Sequence, residues 1–167
     1  TNTYSDNSTS TVANRFRSVY IKNQGESHNI DEQYETSSVD LITGNIVSED
    51  KGIEIYNNQN GVVTVKTGEI TSNGEAVVVT RTDAEGKINE SINVANGVYI
   101  SNRNGGTVEM VTQKIIASDR GVHIYNSNEN SFVNLETGDI IAATTGINYQ
   151  VTNSYDNKAY NRTYYSD

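Results

Sequence analysis

Between residues 39 and 149, apolar side chains fall on alternate positions in short bursts, separated by polar turns that carry Gly, Asn, Ser and Thr. Alternation is the period of a strand, whose successive side chains point to opposite faces, and not the 3.6-residue period of a helix. The bursts also recur. "VDLITGNIVSEDKGIEI" (39–55), "VTVKTGEITSNGEAVVV" (63–79) and "VNLETGDIIAATTGINY" (133–149) are versions of one pattern. An Ile after the turn occurs at 46, 70, 92, 115 and 140, in steps of 24, 22, 23 and 25. A second anchor, a Gly before an apolar pair, occurs at 52, 97, 121 and 146, with Ala76 in its place in the second copy.

Stacking the copies gives columns. The first strand supplies Val39/Val63/Val108/Val133 and Leu41/Val65/Met110/Leu135, with Ile88 assigned to the third copy. The second supplies the Ile anchors and then Ser48/Ser72/Val94/Ala117/Ala142. The third supplies Ile53/Val77/Val98/Val122/Ile147 and Ile55/Val79/Ile100/Ile124/Tyr149. No single copy can bury its apolar side, so the copies must cover one another. The pattern predicts an all-β, right-handed, single-stranded parallel β-helix of about 5–6 coils. Each coil has 21–25 residues and three short strands. Gly44, Gly68 and Gly138 follow Thr at the first turn, where a positive φ would favour glycine. Asn57, Asn102 and Asn126 fall in phase after the third strand and predict a ladder of side-chain amides along the axis.

The pattern begins earlier, because "SVYIKN" (18–23) matches "GIEIYN" (52–57). One fragment is therefore expected over 1–167: a polar edge at 1–17, coils over 18–151 with a loop at 24–38 and a second excursion at 81–91, where charged residues replace part of a strand, and a polar tail or cap at 152–167.

Composition narrows what such a chain can do. Hydrophobic residues are 34% of the sequence, against ~45–50% in ordinary globular domains, which suits a thin core. The net charge of −9 disfavours nucleic acid and anionic lipid as partners. Cys is absent, which removes disulfides, thiolate metal sites and cysteine nucleophiles. No apolar run approaches the ~18–20 residues of a membrane-spanning helix, so no membrane insertion is expected of this segment. The chain opens on Thr1 and closes in "YNRTYYSD", and it is expected to be a fragment of a larger exported protein.

The motif Thr-Gly-acidic-Ile followed by Gly-Ile/Val-x-Ile stands in "TGNIVSEDKGIEI", "TGEITSNGEAVVV" and "TGDIIAATTGINY", with weaker copies in "INESINVANGVYI" and "VTQKIIASDRGVHI". Over about residues 12–152 this resembles the passenger region of bacterial autotransporters, the pertactin-like adhesins of type V secretion. The resemblance implies a non-enzymatic passenger at the bacterial cell surface or outside the cell, acting in attachment or as a rigid stalk. It implies a host-cell protein or glycan as partner, or self-association, and no cofactor.

Candidate chemistry is sparse. Parallel β-helices also carry polysaccharide lyases and hydrolases, and glycoside hydrolysis asks for two carboxylates ~5–9.5 Å apart across a groove. The outward columns bring no such pair onto adjacent coils, so no catalytic residue is assigned. "SED" (48–50) and "TDAE" (82–85) read as solvated turn acids, and neither His28 nor His123 has a partner at zinc-ligand spacing. Tyr is the overused aromatic, with 11 against two Phe and no Trp. Tyr56 and Tyr125 share one outward column and Tyr99 and His123 its neighbour, and Tyr beside Asn suits contact with sugars or proteins. Tyr56, Tyr99, His123 and Tyr125 are the expected ligand- or partner-binding residues.

Overall fold

The computed structural model describes residues 2–3, 9–11, 16–24, 37–127, 130–153 and 158–164, with side chains over 16–24, 37–127 and 130–150. The described elements are all strands: β1 (Asn2–Thr3), β2 (Thr9–Thr11), β3 (Arg17–Gln24), β4 (Ser38–Ile42), β5 (Ile46–Ser48), β6 (Lys51–Asn58), β7 (Val62–Ser72) and β8 (Val77–Thr82). They continue with β9 (Ile88–Asn93), β10 (Asn96–Arg103), β11 (Thr107–Ala117), β12 (Arg120–Ser127), β13 (Phe132–Thr137), β14 (Ile140–Ala142), β15 (Thr145–Asn153) and β16 (Lys158–Tyr164).

The chain shuttles between two sheets. One has the order β16-β15-β12-β10-β6-β3 and is parallel except for β16, which closes it antiparallel against β15. The other has the order β13-β11-β7-β4, with β14 on β11 and β5 on β7, and is parallel throughout. Each return lands in register on the strand before it. Val19, Ile53, Val98, Val122 and Ile147 form one row, and Ile46, Ile70, Ile115 and Ile140 another. The space between the sheets is filled from alternate positions: Ile53, Ile55, Val63, Val65, Ile70, Val98, Ile100, Val108, Met110, Ile115 and Val122 are fully buried. Period-2 alternation thus does the packing the sequence asks of it.

The inner phase slips once within β7 and once within β11. Val63, Val65 and Thr67 face in, and then Ile70 and Ser72 do. Val108, Met110 and Thr112 are followed by Ile115 and Ala117. At this corner a Thr hydroxyl reaches the main chain of the preceding rung at Thr67 and Thr112, whereas the buried Thr137 Oγ1 has no hydrogen-bond partner. Thr67 Oγ1 donates to the Gly44 carbonyl at 2.9 Å, and Thr112 Oγ1 to the Gly68 carbonyl at 2.6 Å, one rung away in each case. The positive φ expected of Gly44, Gly68 and Gly138 is not found; among described glycines it occurs at Gly86 and Gly105. Crowding favours glycine at two of these corners instead. A Cβ on Gly68 would lie 2.1 Å from Asn45 Oδ1, and one on Gly138 would lie 2.3 Å from the Gln113 carbonyl oxygen.

The last strand of the second copy and the first two of the third are not part of the stack, whereas Val98 and Ile100 of the third copy are. Ile53 pairs with Val98 directly, 45 residues on, where Val98 to Val122 is 24, an excess of 21. Residues Val77, Val79, Ile88 and Ile92 instead form the antiparallel pair β8–β9, which joins β1 and β2 in a separate sheet. Local turn chemistry overrides the matching period here. Asp83 Oδ1 accepts the Lys87 N–H at 2.7 Å, the Gly86 N–H reaches the Asp83 carbonyl, and Gly86 has φ +81°. That closes a hairpin before a rung can form. Outside it, the corner keeps its bonds: the Asn73 N–H to the Ser48 carbonyl, and the Ala95 N–H to Asp119 Oδ2.

A chain lacking residues 74–94 therefore restores the four-residue step that separates Ser48 from Gly52 and Ala117 from Gly121. It should keep a single cooperative denaturant transition, because a surface excursion of this length costs little to omit. Loss of cooperative unfolding would show that 74–94 belongs to the stack. The loop expected at 24–38 lies, over 25–36, outside the described residues, as do parts of both expected edges.

Candidate functional site

Parallel pairing in register stacks equivalent outward residues one rung apart, about 4.8 Å. Two outward rows run along the first sheet: Tyr20/Glu54/Tyr99/His123/Asn148 and Lys22/Tyr56/Ser101/Tyr125/Gln150. The rings zigzag between them. Tyr20 meets Tyr56 with centroids 5.6 Å apart, Tyr56 meets Tyr99 at 5.4 Å, and Tyr99 meets His123 edge-on at 5.3 Å. Each contact joins neighbouring rungs, so the register fixes the aromatic track.

Glu54 occupies a Tyr position in this track and is 2% exposed. Lys51 Nζ donates to its Oε1 at 2.7 Å, and Arg17 Nε lies against Oε2 as an ion pair without hydrogen-bond geometry. The two cations compensate the cost of desolvating the carboxylate. Arg17 also covers the Tyr20 ring, 4.4 Å from its centroid.

Beside the track, where the hairpin rejoins the stack, lies an open depression of about 230 Å³. Glu54, Tyr56, Tyr99 and His123 line it from the sheet. Asn93 and Val94 wall it from the hairpin exit. Lys51, Asn96 and Arg120, which immediately precede Gly52, Gly97 and Gly121, complete the lining. The insertion thus turns one stretch of a repetitive surface into a concavity.

Its titratable groups are held in defined states. Arg120 Nη1 stands 3.1 Å from His123 Nδ1, and because a guanidinium can only donate, Nδ1 is the acceptor and the ring proton is on Nε2. Burial, then the Arg120 charge, push the His123 pKa below its usual value; Gln150 pulls weakly the other way without a well-formed hydrogen bond to Nε2. The imidazole is therefore neutral at pH 7. Burial, reinforced for both phenols by Glu54, raises the pKa values of Tyr56 and Tyr99, which stay protonated. Four polar atoms of the lining are buried without a hydrogen-bond partner: Glu54 Oε2, which is ion-paired with Arg17, and Asn96 Oδ1, Arg120 Nε and His123 Nε2.

Of the four residues expected from sequence, Tyr56, Tyr99 and His123 meet at this depression. Tyr125 does not line it, and packs under the Arg103 guanidinium, 4.9 Å from the ring centroid. Lys51, Glu54, Asn96 and Arg120 were not singled out from sequence. Lys51, Asn96 and Arg120 share the column before the Gly anchor, and that fixed phase is the signal the sequence carried. His28 lies outside the described residues. Asp50 and Asp83 serve turns: Asp50 Oδ2 accepts the Phe16 N–H at 3.0 Å, and Asp83 caps the hairpin. Among the described residues, no three His, Asp or Glu side chains converge as metal ligands, and no helix is long and apolar enough to cross a membrane.

The chain matches no protein-family model, no curated protein and no solved structure.

Proposed function

We propose that this chain is a right-handed parallel β-solenoid segment of a bacterial surface protein, and that it acts in attachment, as a rigid platform for a shallow recognition site. The supporting observation is the division of labour along the chain. The repeating residues are used up in the stack, while the insertion between rungs among the described residues builds a polar concavity beside an aromatic track. The autotransporter-like motif in the corners supports placement at the cell surface. A host-cell protein or glycan is the partner this reading implies.

The stack itself suits a stalk. Asn23 Nδ2 donates to Asn57 Oδ1 at 3.1 Å, Asn57 Nδ2 to Asn102 Oδ1 at 3.0 Å, and Asn102 Nδ2 to Asn126 Oδ1 at 3.1 Å. Such a buried chain of amides couples four rungs along the axis. Polysaccharide cleavage finds less support at this site. Glu54 is the carboxylate lining the depression, and it is tied to Lys51 and Arg17 rather than set opposite a second acid.

Beads coated with the folded chain should attach to cultured epithelial cells several-fold more than beads coated with the heat-unfolded chain. Equal attachment would remove the recognition role and leave the segment as spacer.

A further inference from the structure

Arg120 is the odd member of the concavity. Lys51 and Arg17 are both spent on Glu54, whereas among the described residues Arg120 has no acidic partner within ion-pair distance, and its guanidinium stands against the neutral His123 imidazole. A half-buried guanidinium normally has a carboxylate or phosphate beside it, because that geometry satisfies its planar fork. Since Glu54 of the same concavity is held by Lys51 and Arg17, among the described residues no carboxylate pairs with Arg120. Next to it Asn96 is 5% exposed, and its Oδ1 lacks any partner. Such an orphaned acceptor at the wall of a polar concavity marks a place where another molecule completes the hydrogen bonding. On the other side stand the Tyr56 and Tyr99 rings, both with protonated phenols.

We infer that this concavity binds one carboxylated sugar unit, a uronic-acid type of residue. Its ring carbons pack on Tyr99 and Tyr56, its carboxylate takes the Arg120 charge, and its hydroxyls meet the amide of Asn96. The three demands are separable. An uncharged sugar leaves Arg120 unpaired, and a simple carboxylate leaves the aromatic surface bare. A volume of about 230 Å³ holds a single ring, below the ~300–1,000 Å³ of sites for larger ligands. This inference rests on the attachment reading and names the ligand class of the same site.

The test is a titration of the whole chain, followed by amide chemical shifts, with glucuronate, glucose and acetate in parallel. Glucuronate should perturb residues 51–56, 96–99 and 120–123 with a dissociation constant on the order of 1 mM. Glucose and acetate should each bind at least tenfold more weakly. Arg120→Gln, which can still donate to His123 Nδ1, should lose glucuronate binding at least tenfold, and Tyr99→Leu should weaken glucuronate and glucose together. Equal responses to glucuronate and glucose, a response to acetate matching that to glucuronate, or no saturable shift would each overturn the proposal. Cell attachment that persists in Arg120→Gln and resists glucuronate would overturn it as well, while leaving the attachment reading standing.

Discussion

Replacing Asn102 by Asp should remove about 4 kcal/mol of folding stability near pH 7. Asn102 is fully buried. Its Nδ2 donates to the Gly106 carbonyl at 2.7 Å, the Phe132 carbonyl at 3.0 Å and Asn126 Oδ1 at 3.1 Å, while its Oδ1 accepts from Asn57. An aspartate would turn that donor into a charged oxygen facing three acceptors. The protein would answer by holding the carboxyl protonated, with a folded pKa above the ~3.9 of the unfolded chain. The folded state then binds more protons than the unfolded state between those two values. Stability of the variant therefore falls as pH rises through that window, and the deficit shrinks on acidification. Denaturant unfolding of Asn102→Asp and the parent chain at pH 7 and pH 4 measures both effects. Equal stability at pH 7, or a deficit that widens in acid, would mean that the amide ladder does not carry the load assigned to it.

The second large effect concerns the Gly anchor. A Cβ on Gly52 would lie 2.3 Å from the Gly97 carbonyl oxygen and 2.8 Å from Ile70 Cγ2. Gly97 and Gly121 are crowded in the same way by the rung that follows, at 2.9 Å from the Gly121 carbonyl oxygen and 2.6 Å from that of Gly146. The obstructing atom at Gly52 is main chain, next to the Ile53–Val98 pairing, and it cannot retreat without opening the ladder. Gly52→Ala should therefore cost about 3 kcal/mol. Gly44 is the control, because nothing lies within 4 Å of the corresponding Cβ position. Gly44→Ala should be neutral or stabilising by about 0.5 kcal/mol through the unfolded chain. If the two substitutions shift the denaturation midpoint alike, the tight corner is not where the structure puts it.

The rungs were legible because burial in a thin stack acts on single columns. Ile53, Val98 and Val122 have to be apolar, Gly52, Gly97 and Gly121 have to lack a Cβ, and Asn57, Asn102 and Asn126 have to offer both a donor and an acceptor. Each constraint leaves a mark at fixed spacing. The hairpin at 77–93 was legible in part: the charged run 81–91 marks an excursion, but its flanks read as rungs for the same reason. Val77, Val79 and Ile92 alternate as rung residues do, and the excess of 21 residues comes within a few residues of a coil, so period alone could not separate them. The charged run and the Asp83–Gly86 turn distinguish the two, and turn chemistry competes with periodicity without being visible in it. The site was half legible. Tyr56, Tyr99 and His123 follow from outward columns, but the concavity depends on where the hairpin re-enters beside Lys51 and Arg120, a three-dimensional fact with no sequence period.

The central claim is that Ile53 to Asn57 pair directly with Val98 to Asn102, across an insertion that forms its own antiparallel hairpin. Backbone nuclear Overhauser contacts in the isotopically labelled chain test it without perturbation. The structure predicts inter-strand contacts linking 53–57 to 98–102 and 98–102 to 122–126. It also predicts short Hα–Hα contacts of the antiparallel kind between 77–82 and 88–93. Contacts linking 53–57 to 77–81 in their place would put the 77–81 strand back in the stack and contradict both the register and the origin of the site.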